Sequence, residues 1–274
     1  MPFKKIPLMF IIGFWSYATS AFAGNNTIAC IIEANQIIDI KSPTSGLLES
    51  VPYKRGDYVK KGAVIATLES SVEKSSAAVS KYKSTMTGNI ESWQAKSDLL
   101  GKKFERKRSL SDSQAISVQD RDDAELEKRS ADAELKLAKE NKELARLEWI
   151  QSTEQLNRKI LRSPFNGIVV NQYMYSGEVV EPSESKHPIL KLAQIDPLRV
   201  EIVLPLTMYG SIKAGDSVEI APEQPIGGNY VAKVRLVDKI VDSASGTFGA
   251  RLELKNQTLE IPSGVKCSVK LKTK

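Results

Sequence analysis

Few side chains in this sequence are placed for bond-making chemistry. Its single histidine, His187, lies in the polar run PSESKHP beside Pro188, so neither a Ser-His-Asp set nor an imidazole metal cluster can be assembled. Two cysteines, Cys30 and Cys267, stand near opposite ends of the chain. In an oxidising compartment they could pair and tie the first strand to the last; two separate buried thiols is the other reading, and both stay open. No glycine-rich loop opens a helix to cradle a phosphate. The many Asp and Glu residues between 71 and 160 alternate with Lys and Arg, as on a solvated coiled-coil face. These patterns point away from an enzyme, a cofactor and a metal. One spacing is left to explain: in RKRSLSDSQAIS, Arg106, Leu110 and Ser117 follow one another at intervals of four and seven residues. A guanidinium can hydrogen-bond carbonyls or carboxylates, a leucine can fill an apolar notch, and a serine tolerates close backbone approach. Each residue also has a plainer use. Ser117, three before Asp120, has the form of a helix cap; Leu110 could close a helical core, and Arg106 could be one more solvated charge.

The elements that must hold these residues emerge from an internal repeat. KSPTSGLLESVPYKRGDYVKKGAVIATL, from Lys41, aligns with RSPFNGIVVNQYMYSGEVVEP, from Arg162, at an offset of 121 residues. Ser42-Pro43 falls on Ser163-Pro164, Gly46 on Gly167, Gly56-Asp57 on Gly177-Glu178 and Val59 on Val180. After three extra residues, Ile65 and Leu68 fall on Ile189 and Leu192. Ser-Pro opens a strand, the glycines allow a bend or bulge, and the Gly-acid pair makes a tight turn. Each copy is too short to bury a core alone, so the two together are expected to form one small β-sandwich.

Between the copies, from Ser70 to about Ile160, the chain has no proline and is rich in Lys, Glu, Ala and Leu. Val72, Val79, Met86, Trp93 and Leu100 recur every seven residues, as do Ala124, Ala131, Ala138 and Ala145, with Leu135, Trp149 and Leu156 on an adjoining position. The spacing predicts two antiparallel helices of about 40 residues projecting about 60 Å. The polar run from Arg106 to Ser117 is expected to interrupt them, with the tip at about 110–117. Gly88 and Gly101 each cost about 1 kcal/mol, and local bends are expected there.

After Asp196, apolar alternation at Leu198, Val200, Ile202 and Leu204 marks a strand, and SVEIAP, YVAKVRLVDKIV, FGARLELKN and VKCSVKLK follow between Gly-containing turns. This spacing predicts a small antiparallel barrel, which the strand Thr27 to Glu33 is expected to join. At the other end, Lys4 and Lys5 precede an apolar run from Ile6 to Tyr17, and Ala21-Phe22-Ala23 supplies the small residues of a cleavage site. Residues 1–23 therefore form a signal peptide in this reading, with an uncleaved anchor as the alternative. Without its two lysines the net charge falls from +6 to +4, too mild a basic excess to argue for nucleic acid.

Taken together, the split repeat (SPTSGLLESVPYKRGDYVKKGAVIATLES and ILRSPFNGIVVNQYMYSGEVVEP), the inserted hairpin and the terminal RLELKNQTLEIPSGVKCSVKL resemble the periplasmic adaptor, or membrane fusion protein, family (HlyD-like, AcrA-like) of tripartite exporters, over essentially the whole chain after residue 23. The resemblance implies a mainly β fold with a long α-helical hairpin. A split biotinyl-lipoyl-like sandwich (35–70 and 161–194) would be interrupted by the coiled coil (71–160) and followed by a β-barrel (195–274) that residues 24–34 join. It implies a non-enzymatic periplasmic protein, associated with the inner membrane through its transporter, probing a TolC-like outer-membrane channel with Arg106, Leu110 and Ser117 at the tip. The transporter is expected to be of RND or ABC type, and six copies to form a ring. An adaptor of an ABC or type I secretion exporter is the nearest alternative; an envelope scaffold without channel docking is the more distant one. Lys74, in LESSVEKSSA, resembles the prosthetic lysine of lipoyl carriers only faintly, because a helix follows instead of a hairpin. Some family members carry a further membrane-proximal domain. With the sequence stopping at Lys274, the expectation is that the barrel itself faces the transporter.

Overall fold

The computed structural model describes residues 27–182 and 188–270; the expected signal peptide, His187 and Lys274 lie outside them. Along the chain the elements are β1 (Thr27–Ile40), β2 (Gly46–Ser50), β3 (Tyr58–Val59), β4 (Val64–Leu68), α1 (Ser71–Thr85), α2 (Gly88–Asp112) and α3 (Val118–Asn157). There follow β5 (Ile160–Arg162), β6 (Gly167–Gln172), β7 (Val179–Val180), β8 (Leu190–Pro205), β9 (Ser217–Pro222), β10 (Tyr230–Asp242), β11 (Thr247–Leu254) and β12 (Val265–Lys270). The protein is thus mainly β with a long helical hairpin. It divides into two compact units, one holding residues 32–199 and 253–264, the other the described residues up to Ile31, Val200–Leu252 and those from Val265.

In the first unit the two copies interlock. Strand β2 of copy one pairs with β7 of copy two, Gly46 opposite Val180, and β3 of copy one pairs with β6 of copy two, Val59 opposite Gly167. The two pairings are related by the 121-residue offset, and so are the loop hydrogen bonds. Gly177 N donates to Leu48 O at 2.8 Å and Gly56 N to Val169 O at 2.9 Å; Leu48 N donates to Glu178 O and Val169 N to Asp57 O. The repeated acid closes equivalent turns in both copies, Asp57 accepting from Lys54 N at 2.7 Å and Glu178 from Tyr175 N at 3.3 Å. The repeated Ser-Pro also acts alike in both. Ser42 and Ser163 are buried, and their hydroxyls donate to Thr44 O and Phe165 O, each at 2.6 Å, which satisfies polar groups the core would otherwise leave unpaired. Each copy supplies strands that only the other can pair, so the shared core draws on both: Leu48, Val59, Ile65 and Leu68 pack with Val169, Val180, Ile189 and Leu192.

The same unit includes the segment after Glu253, held by a buried amide. Asn256 Nδ2 donates to the carbonyls of Ile195 and Ile261, and its Oδ1 accepts from Ile261 N. In the second unit β9 lies between β10 and β12, within the strand order β1-β12-β9-β10-β11-β8, and β1 also pairs with β8. The alternation in β8 is obeyed: Val200, Ile202 and Leu204 are buried, while Glu201 pairs outward with Arg251 at 3.1 Å. Cys30 on β1 and Cys267 on β12 are both buried and joined by a disulfide.

The hairpin departs from expectation in its first arm. In place of one helix of about 40 residues, the arm breaks into α1 and α2 just before Gly88. Met86 is extended (φ −68°, ψ 130°) and Thr87 precedes the first residue of α2. Ser84 and Thr85 turn their hydroxyls onto Lys81 O and Tyr82 O, a back-bonding that weakens a helix end, and Gly88 restarts it. Gly101 stays inside α2. The break also moves the inward stripe by one residue. Trp93 and Leu100 are partly covered as expected, but Val72, Val79 and Met86 are 73%, 57% and 58% exposed, and Ala77 faces inward instead. On α3 the alanine seam holds: Ala124, Ala131 and Ala138 are buried with Leu135.

A methyl on Gly167 would lie 2.5 Å from Ala193 O and 2.9 Å from the Phe165 ring, whereas one on Gly101 would meet only Lys128 Cε at 3.8 Å. Gly167→Ala is therefore expected to lower unfolding free energy by about 1–3 kcal/mol through overpacking against backbone. Gly101→Ala is expected to raise it by about 0.5–1 kcal/mol through helix propensity. Urea denaturation of both variants checks the pair, and equal effects would contradict this account.

Candidate docking tip

The tip is positioned from its roots. β4 ends copy one and β5 begins copy two, and they pair side by side, Ala66 opposite Leu161 and Thr67 opposite Ile160, so α1 leaves the sheet next to where α3 returns. Leu68 N donates to Lys159 O at 2.8 Å. The Lys159 ammonium, largely covered, then reaches Ser45 O at 3.1 Å and the Glu73 carboxylate at 3.2 Å, tying α1, α3 and β2's lead-in to one cation. Along the arms the contacts are small or polar. Lys81 sits over the Trp149 ring at 5.9 Å, Ser97 donates to Asp132 at 2.5 Å, and Lys103 pairs with Glu127 at 2.6 Å.

The turn itself is shorter than the sequence suggested. Residues Arg106 to Asp112 are helical, and only Ser113 to Ser117 lie between α2 and α3. Helix α2 ends in a Schellman motif: Ala115 N donates to Leu110 O at 2.8 Å and Gln114 N to Ser111 O at 2.9 Å, with Gln114 at φ 59°, where glycine is the commoner occupant. Helix α3 opens on Ser117. Its Oγ accepts from Asp120 N at 3.1 Å and donates to the Asp120 carboxylate at 2.6 Å, a capping arrangement at the positive end of the helix dipole. The Ser117 hydroxyl, aided by the Lys107 charge, holds the Asp120 carboxyl below its ordinary value. Lys107 spans the arms, donating to Asp120 O at 3.2 Å.

Arg106 and Leu110 share one face of α2, one turn apart. Leu110 is 47% exposed, and Arg106 is exposed without a hydrogen-bond or ion-pair partner among the described residues. Ser117, also exposed, lies across the turn with its hydroxyl committed to Asp120. The structure therefore brings the three residues to one end of the hairpin, two as open contact groups and one as a cap. Lys107 and Gln114 were missed at the sequence level. The first was legible as a cation reaching toward the acidic start of α3, the second as the residue after a helix end in a stretch without glycine. Among the described residues no three His, Cys, Asp or Glu side chains converge as a metal site, and no helix is long and apolar enough to cross a membrane.

A mainly β body interrupted by a long helical hairpin defines the class. Residues 36–190 match the model of the CzcB-like, barrel-sandwich hybrid domain, and the chain belongs to that family. It is 26% identical over 178 residues to the cobalt-zinc-cadmium resistance protein CzcB of Cupriavidus metallidurans, covering 64% of this chain and 31% of that one. The chain spans less than half the length of the curated relatives it matches. Among solved structures, MacA from Actinobacillus actinomycetemcomitans shares the fold with a TM-score of 0.69 at 21% identity, covering 89% of this chain and 78% of MacA. The membrane fusion protein Spr0693 from Streptococcus pneumoniae R6 does so with a TM-score of 0.62 at 13% identity, covering 90% and 99%. The family resemblance carried jointly by the split repeat, the inserted hairpin and the terminal strands is borne out by this match.

Ser117→Ala removes the cap and is expected to cost about 1 kcal/mol of helix stability, read as faster amide exchange over the first turn of α3 with the body unaffected. A folded-state pKa below the unfolded value means that the Asp120 contribution is present above the ordinary carboxylate range. It is lost as pH falls through the lowered value, so acidification should speed exchange over the same turn in the wild-type protein, but by less than Ser117→Ala, because the Asp120 N to Ser117 Oγ bond does not titrate.

Proposed function

We propose that this protein is the non-enzymatic periplasmic adaptor of a tripartite exporter, bridging an inner-membrane transporter to a TolC-like outer-membrane channel through the hairpin tip. The observation that carries this reading is the tip itself: a five-residue turn at the far end of a hairpin rooted in β4 and β5, offering an exposed leucine and an unpaired arginine one turn apart. Leu110 leaves about half its surface open, 47% exposed, and burial of that remainder by a partner would recover about 1 kcal/mol. One such contact is weak, and several copies around a channel supply the avidity. In this reading the interlocked copies are the split lipoyl-like sandwich, with boundaries near 35–70 and 161–194, and the strands after 195 are the barrel. The adaptor seals and couples, while the transporter supplies energy and chooses cargo.

Leu110→Asp and Arg106→Glu are the tests, because neither residue caps or fills the hairpin. Both variants should lose crosslinking to the channel and export while changing stability by less than about 0.5 kcal/mol. Export and crosslinking at wild-type levels in both would remove the docking claim; Ser117 variants are less suited, since they also disturb α3.

A further inference from the structure

The turns that follow β2 and β6 meet over one cavity. Lys54, Arg55, Asn171, Gln172, Tyr175 and Ser176 line an open space of about 620 Å³ in the first unit. At the 121-residue offset Lys54 is equivalent to Tyr175 and Arg55 to Ser176, so the cavity lies between corresponding turns of the two copies. Each turn is fixed by its own acid and by the other copy. Asp57 accepts from Lys54 N and Glu178 from Tyr175 N, while Gly56 N and Gly177 N donate across to Val169 O and Leu48 O. The walls are thus held in place before anything enters, which lowers the ordering cost of binding.

The two halves of the cavity differ in chemistry. Copy one supplies two neighbouring cations; copy two supplies a phenol, a hydroxyl and two half-buried carboxamides. Neither the Lys54 ammonium nor the Arg55 guanidinium has a hydrogen-bond or ion-pair partner among the described residues, and the side chains of Asn171, Tyr175 and Ser176 have none either. Gln172 Nε2 donates to Met174 O at 3.2 Å, which leaves its Oε1 free to accept. Elsewhere in this unit such groups are engaged: Ser42 and Ser163 close turns, Lys159 clasps the hairpin roots, and Asn256 holds the backbone of Ile195 and Ile261. Among the described residues no carboxylate lines the cavity; Asp57 and Glu178, the nearest along the chain, are bonded inside the turns.

We propose that this cavity binds a phosphorylated sugar, its phosphate on Lys54 and Arg55, its hydroxyls on Asn171, Gln172 and Ser176, and its ring face against Tyr175. Two adjacent cations match the charge of a phosphate monoester, about −1.5 to −2 at neutral pH, better than the single charge of a carboxylate. The Arg55 fork takes two phosphate oxygens while Lys54 acts as a point charge. Carboxamides both donate and accept, as adjacent sugar hydroxyls require, and a tyrosine offers an apolar ring with a polar end. The volume falls within the range of about 300–1,000 Å³ common to small-ligand sites. Binding here goes beyond the adaptor reading and does not depend on channel docking at the tip.

Titration calorimetry of the full chain with glucose-1-phosphate, glucose and inorganic phosphate tests this. Flotation with phosphatidylcholine vesicles, plain or containing phosphatidylinositol phosphate, tells a free solute from a lipid headgroup of the same chemistry. Glucose-1-phosphate is expected to bind more tightly than glucose or inorganic phosphate. Lys54→Ala combined with Arg55→Ala should weaken it at least about tenfold, and Tyr175→Ala should bring it down to the level of inorganic phosphate. All three side chains are exposed, so both variants should keep the wild-type melting temperature. Binding confined to the phosphatidylinositol phosphate vesicles, and lost with the two cations, would support the site with a lipid-borne ligand. Failure of both phosphorylated probes to bind, undiminished binding by either variant, or inorganic phosphate binding as tightly as glucose-1-phosphate would each overturn the proposal.

Discussion

The reciprocal exchange of strands between the two copies is the interaction on which the rest depends. Because, among the described residues, β7 is paired only by β2 and β3 only by β6, neither copy can satisfy its backbone or bury Leu48 and Val169 without the other. Folding the body therefore requires the chain to close the long loop between the copies, an entropic cost that grows only slowly with loop length. The hairpin occupies that loop, and its own local contacts shorten the effective distance to be closed.

Within the hairpin the two arms hold together in different ways. Helix α3 is continuous and presents alanines, which let a neighbouring helix approach without large side chains between them. Helix α2 has no fully buried residue and holds to α3 through half-covered Trp93, Leu100 and Phe104 and through polar bridges such as Ser97–Asp132 and Lys103–Glu127. Exposed ion pairs of this kind contribute little each. The arm opposite α3 is therefore the weaker half, and it is also the half that carries Arg106 and Leu110.

Much of this was legible in the sequence, for identifiable reasons. The 121-residue offset survived because its residues perform backbone work that few others can do: a buried serine closing a turn, an acid capping one, a glycine under a carbonyl. The alanine seam of α3 was legible because nothing interrupts its period. The first arm was misjudged at Val72, Val79 and Met86 because a seven-residue spacing was carried across Met86-Thr87. Two non-helical residues there reset the phase, and periodicity cannot report its own slippage. At the tip, polarity was mistaken for irregularity. The run from Arg106 to Asp112 is polar because it is solvated on nearly every side, and it is helical all the same.

The adjacency of β4 and β5 has a further consequence for how such a molecule can vary. Since the two roots meet in one ladder and are clasped by Lys159, the body senses only that two helices enter and leave side by side, and nothing in it measures how far they run. Seven residues added to each arm would extend the rod by about 10 Å and return every side chain to nearly its former bearing. Reach is thus an adjustable dimension, set along the rod alone without renegotiating the core from which it springs.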